Sequence, residues 1–461
     1  MTSLQLDYEV PESALELVSV AIDRADIYSA AAVYQLADAS QQQALRDILC
    51  GQRRDVLKLA RWEHTPAAVL ALLAGLEDDA VRLRIDKNPA TQSQTLASLY
   101  NVEKDLDLVS LIAQHSHTSS TVLQQIIDTV TTPALVRTVA KNPNADSDVL
   151  LLIEDKFGDK FDAELASHTH AAAELLEKLY SRGNSFIKAA VAAHHNCPDK
   201  ILKQAAKHED PMVLRHVAGN SRLAKSLVAD LAAYPDHKVR RAAAGNKKLP
   251  AAMLSALVID PSEYVRRSVA ARDDLKAEML SALIEDVDHW VRQWIALQPK
   301  LSDQQLHILA SDENKEVRRT IARNSKTPKT LLKQLAADKE PWVRAAVANQ
   351  PHTESAVLQT LTDDDAVDVQ GGVAHNPNSP KSSLIKLTQS IVPDVRRGVV
   401  MNKKASRETL LPLLEDPYYL NRLLLAQNPI LTAADKWSLF DDPDPAVRFS
   451  LFTWFSRQYQ Q

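Results

Sequence analysis

"KEVRRTIARNSKTPKTLLKQLAAD", residues 315–338, reads as a short helix, a turn and a longer helix. Shifted by 26 residues, the pattern is written again as "PWVRAAVANQPHTESAVLQTLTDD", residues 341–364. With Val317 as the anchor, backward steps of 26 meet Val291, Val265, Val239, Val213, Ile187, Phe161 and Leu135. Forward steps meet Val343, Val369, Val395, Asn421 and Val447, and steps of 27, 27 and 26 before Leu135 reach Leu108, Val81 and Asp55. Of these 16 anchors only Asp55 and Asn421 break the apolar rule. A fixed period of this length marks stacked repeats, and it takes precedence over any other reading of the fold.

Each position in the unit has a physical role. The anchor and the residue four further on (Val139, Val191, Val217, Val269, Ile321, Val347) share one helical face, one turn apart. The next residue is usually Ala, as at Ala140, Ala192, Ala218, Ala244, Ala270, Ala322 and Ala348. A side chain that small lets a neighbouring helix approach closely. Seven residues after the anchor stands Asn (Asn88, Asn142, Asn220, Asn246, Asn324, Asn376, Asn402, Asn428), four times followed by Pro, so the short helix stops there. Thr65-Pro66, Thr327-Pro328 and Ser379-Pro380 then read as helix N-caps with Pro in the first turn. Leu pairs such as Leu254/Leu257, Leu306/Leu309 and Leu358/Leu361 give the longer helix its apolar stripe. A helix of about ten residues is marginal alone in water, so stacking on its neighbours must supply its stability.

The 461 residues carry 45% hydrophobic and 25% charged side chains, with few glycines and aromatics, a balance that favours an all-helical protein. Two cysteines, Cys50 and Cys197, build no disulfide framework. The acidic start "MTSLQLDYEVPE" lacks the features of a secretory signal, and no run reaches 18 apolar residues, so a cytoplasmic location is expected. Net charge is -5, but residues 1–134 hold 10 Lys+Arg against 18 Asp+Glu, while residues 182–350 hold 28 against 19. The positive half points to where partners are met.

The unit "VRRTIARNSKTPKTLLKQLAAD" resembles the variant leucine-rich repeat of bacterial proteins. It is also similar to the HEAT repeat, through Asp five residues before the anchor and Arg one after it. Those residues are Asp260/Arg266, Asp286/Arg292, Asp312/Arg318, Asp338/Arg344, Asp416/Arg422 and Asp442/Arg448. The resemblance covers roughly residues 55–454 and implies a right-handed, all-α solenoid of about 16 two-helix repeats. Residues 1–54 read as an N-terminal helical cap and 455–461 as a C-terminal tail. Some variant leucine-rich proteins hold an iron–sulfur centre on an N-terminal cysteine cluster; this chain has no such cluster, and no cofactor is expected.

The Asp/Arg pairs are read as a structural ladder in which each Asp meets an Arg of its own or the next repeat, against the alternative of a charged binding strip. A second Arg, two after the anchor (Arg137, Arg215, Arg241, Arg267, Arg319, Arg397), faces away from the core and would align into a basic stripe. Tyr264, Trp290 and Trp342 just before anchors, with Trp294 one turn on, bring aromatic rings to it. Arg with Trp or Tyr is the composition of binding hot spots and of single-strand grooves; the bland alternative is packed turns and solvated arginines. His115, His168 and His194 occupy the Asn position and read as turn residues rather than metal ligands. Gly371-Gly372, inside a short helix, reads as a degenerate repeat, a flexible joint or a place where a partner approaches closely. The aromatic end (Trp437, Phe440, Phe449, Phe452, Trp454, Phe455, Tyr459) reads as capping of the last core face or as a docking patch.

No catalytic motif is present, so the chain reads as a non-enzyme. The expected function is a scaffold or adaptor gripping a protein partner along the inner groove, around residues 240–345. The alternatives are a nucleic-acid binder, as the HEAT-like alkylpurine DNA glycosylases imply, and a lyase-type accessory subunit.

Overall fold

A computed structural model describes residues 9–102, 105–129 and 132–460, which form helices joined by turns, with no strand among them. The chain is all-α and of the helical-solenoid class. It divides into two compact units: Met1–Val81 with Leu301–Gln461, and Arg82–Lys300.

The quoted repeat shows why these residues fold this way. Its short helix is Lys315–Arg323, capped by the Asn314 side chain accepting from the Glu316 N–H, and it buries Val317, Ile321 and Ala322. Asn324 follows in extended conformation and ends it. The second helix, Lys329–Leu335, buries Leu331, Leu332 and Leu335. Here the expected N-cap is corrected. Pro328 itself is the cap residue, and Thr327 sends its hydroxyl backward to the Ile321 carbonyl at 2.6 Å. Thr65 does the same to Leu59 O and Ser379 to Val373 O. The last carbonyls of a helix lack a donor within it, and the hydroxyl supplies one, closing the helix behind it.

The Asn seven after the anchor is a buried bridge between repeats. Asn246 Nδ2 donates to Ala218 O at 2.8 Å and Asn220 O at 3.0 Å, while its Oδ1 accepts from the Lys248 N–H. Asn402 repeats this with Ala374 O and Asn376 O. Gln298, Gln350 and Arg272 stand in the same place and reach the equivalent carbonyls. Buried carbonyls at helix ends are costly unless paired, so any side chain with a suitably placed N–H serves.

The Asp/Arg residues form a clamp that spans repeats. Arg266 gives Nε and Nη2 to both oxygens of Asp286, in the next repeat, at 2.7 and 3.0 Å. Its Nη1 donates to the backbone carbonyl of Asp260, in its own repeat. Arg240–Asp260, Arg318–Asp338, Arg344–Asp364, Arg396–Asp416 and Arg422–Asp442 share this bidentate geometry. Each Asp also accepts a backbone N–H two residues on, as Asp416 does from Tyr418.

The sequence lets each Asp meet an Arg of its own or the next repeat; Asp286 does meet Arg292 of its own repeat, but through its backbone, and its carboxylate turns the other way. The Asp286 carboxylate is held by Arg266 of the preceding repeat. Arg292 is buried, and within its own repeat its Nη1 donates to the Asp286 backbone carbonyl at 2.7 Å. Asp260/Arg266, Asp312/Arg318, Asp338/Arg344, Asp416/Arg422 and Asp442/Arg448 meet in the same way, guanidinium to backbone carbonyl. The reason is reach. Six residues apart on a turn and the helix after it, the Arg head group lies against the Asp main chain, and the carboxylate points back to the stacked neighbour. Asn421 is buried and donates to Asp416, which explains one break in the apolar anchors.

Neighbouring short helices lie against one another along much of their length from Ser185–Ala193 onward within each unit, whereas successive second helices touch far less. The short helices thus form the more closely packed side of each stack. Gly372 belongs to this packing: a Cβ there would sit 2.6 Å from Asn349 Nδ2 and 2.8 Å from the Ala348 Cβ. It is a close-approach residue, whereas a Cβ on Gly371 would face open space.

In the unit holding both chain ends, helix Ile27–Val33 packs on helix Pro445–Gln458. Arg448 reaches both oxygens of Asp26 at 3.2 and 3.1 Å, Arg24 pairs with Asp441 at 2.7 Å, and the Tyr459 hydroxyl donates to Pro11 O. Trp62 lies edge-on to Phe449 (4.6 Å) and Tyr28 (4.9 Å). The aromatic end of the chain is covered by its beginning. Pro445–Gln458 runs through Phe455, which is buried, so residue 454 is no structural boundary.

A candidate recognition groove on the short helices

Three recesses of about 570, 700 and 320 Å³ run along the short helices of the Arg82–Lys300 unit. The first and second share Arg215; the second and third share Arg241, Tyr264 and Ser268. With these shared walls they follow one another along the short helices, from Ala166 to Trp294, as one interrupted groove. Helical rotation makes it. Residues one before, two or three after and six after each anchor fall on one face. That face carries Lys238, Arg241, Ala242 and Gly245 on one helix, and Tyr264, Arg267, Ser268 and Ala271 on the next. Small residues form the floor and cations and rings form the sides. Tyr264 and Trp294 remain 44% and 42% exposed, large for aromatic side chains in a groove with nothing over them.

Among the described residues, no carboxylate lines the groove. Among the described residues, Arg215 and Arg241 have no acidic partner. The other predicted arginines are neutralised. Arg267 meets Asp288 at 2.5 Å and sits 5.1 Å from the Tyr264 ring and 5.9 Å from Trp290. Burial works to raise the Asp288 carboxyl, but the Arg267 hydrogen bond and the Trp290 N–H outweigh it and hold it below the usual carboxylate range. Arg137 pairs with Glu164 at 2.8 Å. In the other unit, Arg319 pairs with Glu316 at 3.2 Å under Trp342 (5.6 Å), and Arg397 pairs with Asp394 beside Tyr418.

Thus Arg215, Arg241, Arg267, Tyr264 and Trp294 come together, Trp290 stacks behind Arg267, and Arg319 with Trp342 forms a separate pair in the other unit. Sequence reasoning passed over Phe186, Met212, His216, His237 and Lys238, which line the same groove. Their signal was present: each lies one or two before or three after an anchor, on the face of the arginines.

The histidines at the Asn position bridge repeats. His115 Nε2 contacts Asn88 O at 3.0 Å, His168 contacts Asn142 O and His194 contacts His168 O, both at 2.8 Å. Burial pushes all three imidazoles below their ordinary value, so neutral rings serve as bridges. Among the described residues no three His, Cys, Asp or Glu side chains converge as metal ligands would, and no helix is long and apolar enough to cross a membrane. Burial also pushes the Cys197 thiol up to about 12, far from a reactive thiolate.

No protein-family model and no curated protein matches the sequence. Among solved structures, the chain is similar to a leucine-rich repeat variant with a novel repetitive structural motif, at 28% identity over 53% of this chain and 87% of that one, with a TM-score of 0.32. It is also similar to a chain of the Pds5–Scc1 complex (15% identity, 93% and 76% covered, TM-score 0.24). A third likeness is to UNC-45 from Drosophila melanogaster (14% identity, 94% and 63% covered, TM-score 0.15).

Proposed function

We propose that this chain is a non-catalytic binding scaffold and that the groove from Ala166 to Trp294 holds a segment of a protein partner. One observation carries the reading: two arginines without acidic partners and two half-exposed aromatic rings share a groove whose lining has no carboxylate. Such a lining offers cations and rings for recognition, the composition enriched where binding energy concentrates. Its lining holds no pair of carboxylates of the kind glycoside hydrolysis uses. The groove lies N-terminal to much of the 240–345 stretch expected from the sequence, because Arg319 and Trp342 satisfy each other elsewhere.

The test compares the wild-type chain with Arg215→Glu/Arg241→Glu as bait in an extract of its native cells, with partners identified by mass spectrometry. Both side chains are exposed, so the variant is expected to keep its melting temperature and to lose the partner. Unchanged capture counts decisively against the groove. A gel shift with duplex and single-stranded DNA at two salt concentrations checks the nucleic-acid reading; binding that falls steeply with salt favours it.

A further inference from the structure

We propose that the groove's occupant is an extended acidic segment whose carboxylates stand three residues apart, one read by Arg215 and one by Arg241. This rests on the groove reading above. Arg215 and Arg241 hold the same position on successive short helices, Pro211–Gly219 and His237–Gly245. Packed helices lie about 8–10 Å apart. An extended polyproline-type chain rises about 3.1 Å per residue with three residues per turn, so side chains three apart emerge on one side at about 9 Å intervals. A β-strand places same-side residues at about 7 or 13 Å, a poorer match. Gly219 and Gly245 form part of the floor, and a Cβ on either would meet nothing, so a backbone can lie close there.

Charge sets the length of the segment. Arg267 is neutralised by Asp288, and one repeat N-terminal to Arg215 the equivalent position is held by Ala189, which carries no charge. The free positive stretch is therefore two repeats long. That suits a pair of carboxylates better than a polyanion, which would gain from every further cation along its path. Beyond Arg241, exposed Tyr264 and Trp294 line the adjoining recess, placed to take an apolar side chain next to the acidic pair.

The test is fluorescence anisotropy on the full chain with two end-blocked, dye-labelled, proline-rich dodecapeptides of identical composition. One has Glu at every third position and the other has its Glu residues contiguous. The spaced isomer is expected to bind about tenfold more tightly, a difference of about 1.4 kcal/mol. Arg215→Gln/Arg241→Gln is expected to erase that preference while keeping the wild-type melting temperature. Equal affinities, a preference that survives the double substitution, or displacement of both peptides by a dT12 oligonucleotide at lower concentration overturns the proposal. The scaffold reading can fail separately. If reversal at Arg215 and Arg241 releases a cellular partner but the isomers bind alike, only the acidic register falls. If capture is unaffected, both fall.

Discussion

At the scale of residues, position outweighs chemistry. Asn402, Gln298, Arg272 and His168 differ in size and charge, yet each turns a nitrogen toward a carbonyl of the preceding repeat. The two adjacent glycines make the converse point. In helix Val367–His375, Gly371→Ala is expected to stabilise by up to about 1 kcal/mol, because Ala loses less backbone freedom and nothing opposes its Cβ. Gly372→Ala is expected to cost about 1–3 kcal/mol, because its Cβ collides with Ala348 and Asn349. Urea denaturation of the two variants measures the contrast, and equal effects would refute the close-approach role.

At the scale of elements, the clamp between Arg and the Asp of the next repeat joins helices that local sequence alone would leave marginal. Burial tends to raise the Asp416 carboxyl, but Arg396, Asn421 and the Tyr418 N–H outweigh it and hold it below its ordinary value. A depressed folded-state pKa contributes stability above the unfolded value of 3.8, and that contribution is lost as pH falls through the folded value. Asp260, Asp338 and Asp364 are shifted the same way, so stability is expected to fall steeply as pH drops below about 4, read by circular dichroism along an acid titration. Asp416→Ala strands a buried guanidinium and is expected to cost about 3–5 kcal/mol. Arg396→Met with Asp416→Leu is expected to recover most of that loss. If the double variant is no better than the single, the clamp contributes more than compensation for its own burial.

At the scale of the molecule, the contact between the chain ends is the feature with the widest consequence. Asp26 accepts Arg448 in the two-pronged manner of the repeat clamp, and the first helices cover the aromatic last one. Asp26→Arg or Arg448→Asp alone is expected to raise amide exchange across Pro445–Gln458, and the two together to restore protection. Failure of the double variant to restore it would mean the pairing does not hold the junction.

The repeat unit, its helices and the Asp/Arg positions were legible because each obeys local or periodic rules: 3.6-residue spacing, Asn-Pro stops, and one charge pattern written many times. The direction of the clamp was not, because own-repeat and next-repeat partners fit the same sequence spacing. Arg292 shows this: written six residues after Asp286, it meets that residue's backbone, while the carboxylate belongs to Arg266. Part of the candidate groove was legible, in Arg215, Arg241, Arg267, Tyr264 and Trp294, since the positions one before and two or three after the anchor share an outward face by helical geometry. Which arginines stay free was not, because Asp288 and Glu164 neutralise theirs only once the repeats are stacked.

By itself, then, the sequence determined an all-α stack of helix pairs and the face on which its cations stand, since periodic burial is a short-range property of the chain. Tertiary structure alone decided that the chain's beginning caps its aromatic end, and that Arg215 and Arg241, unlike Arg267 and Arg319, have no acidic partner among the described residues. Both depend on residues brought together by folding, and for the chain ends across more than four hundred positions no local rule can reach.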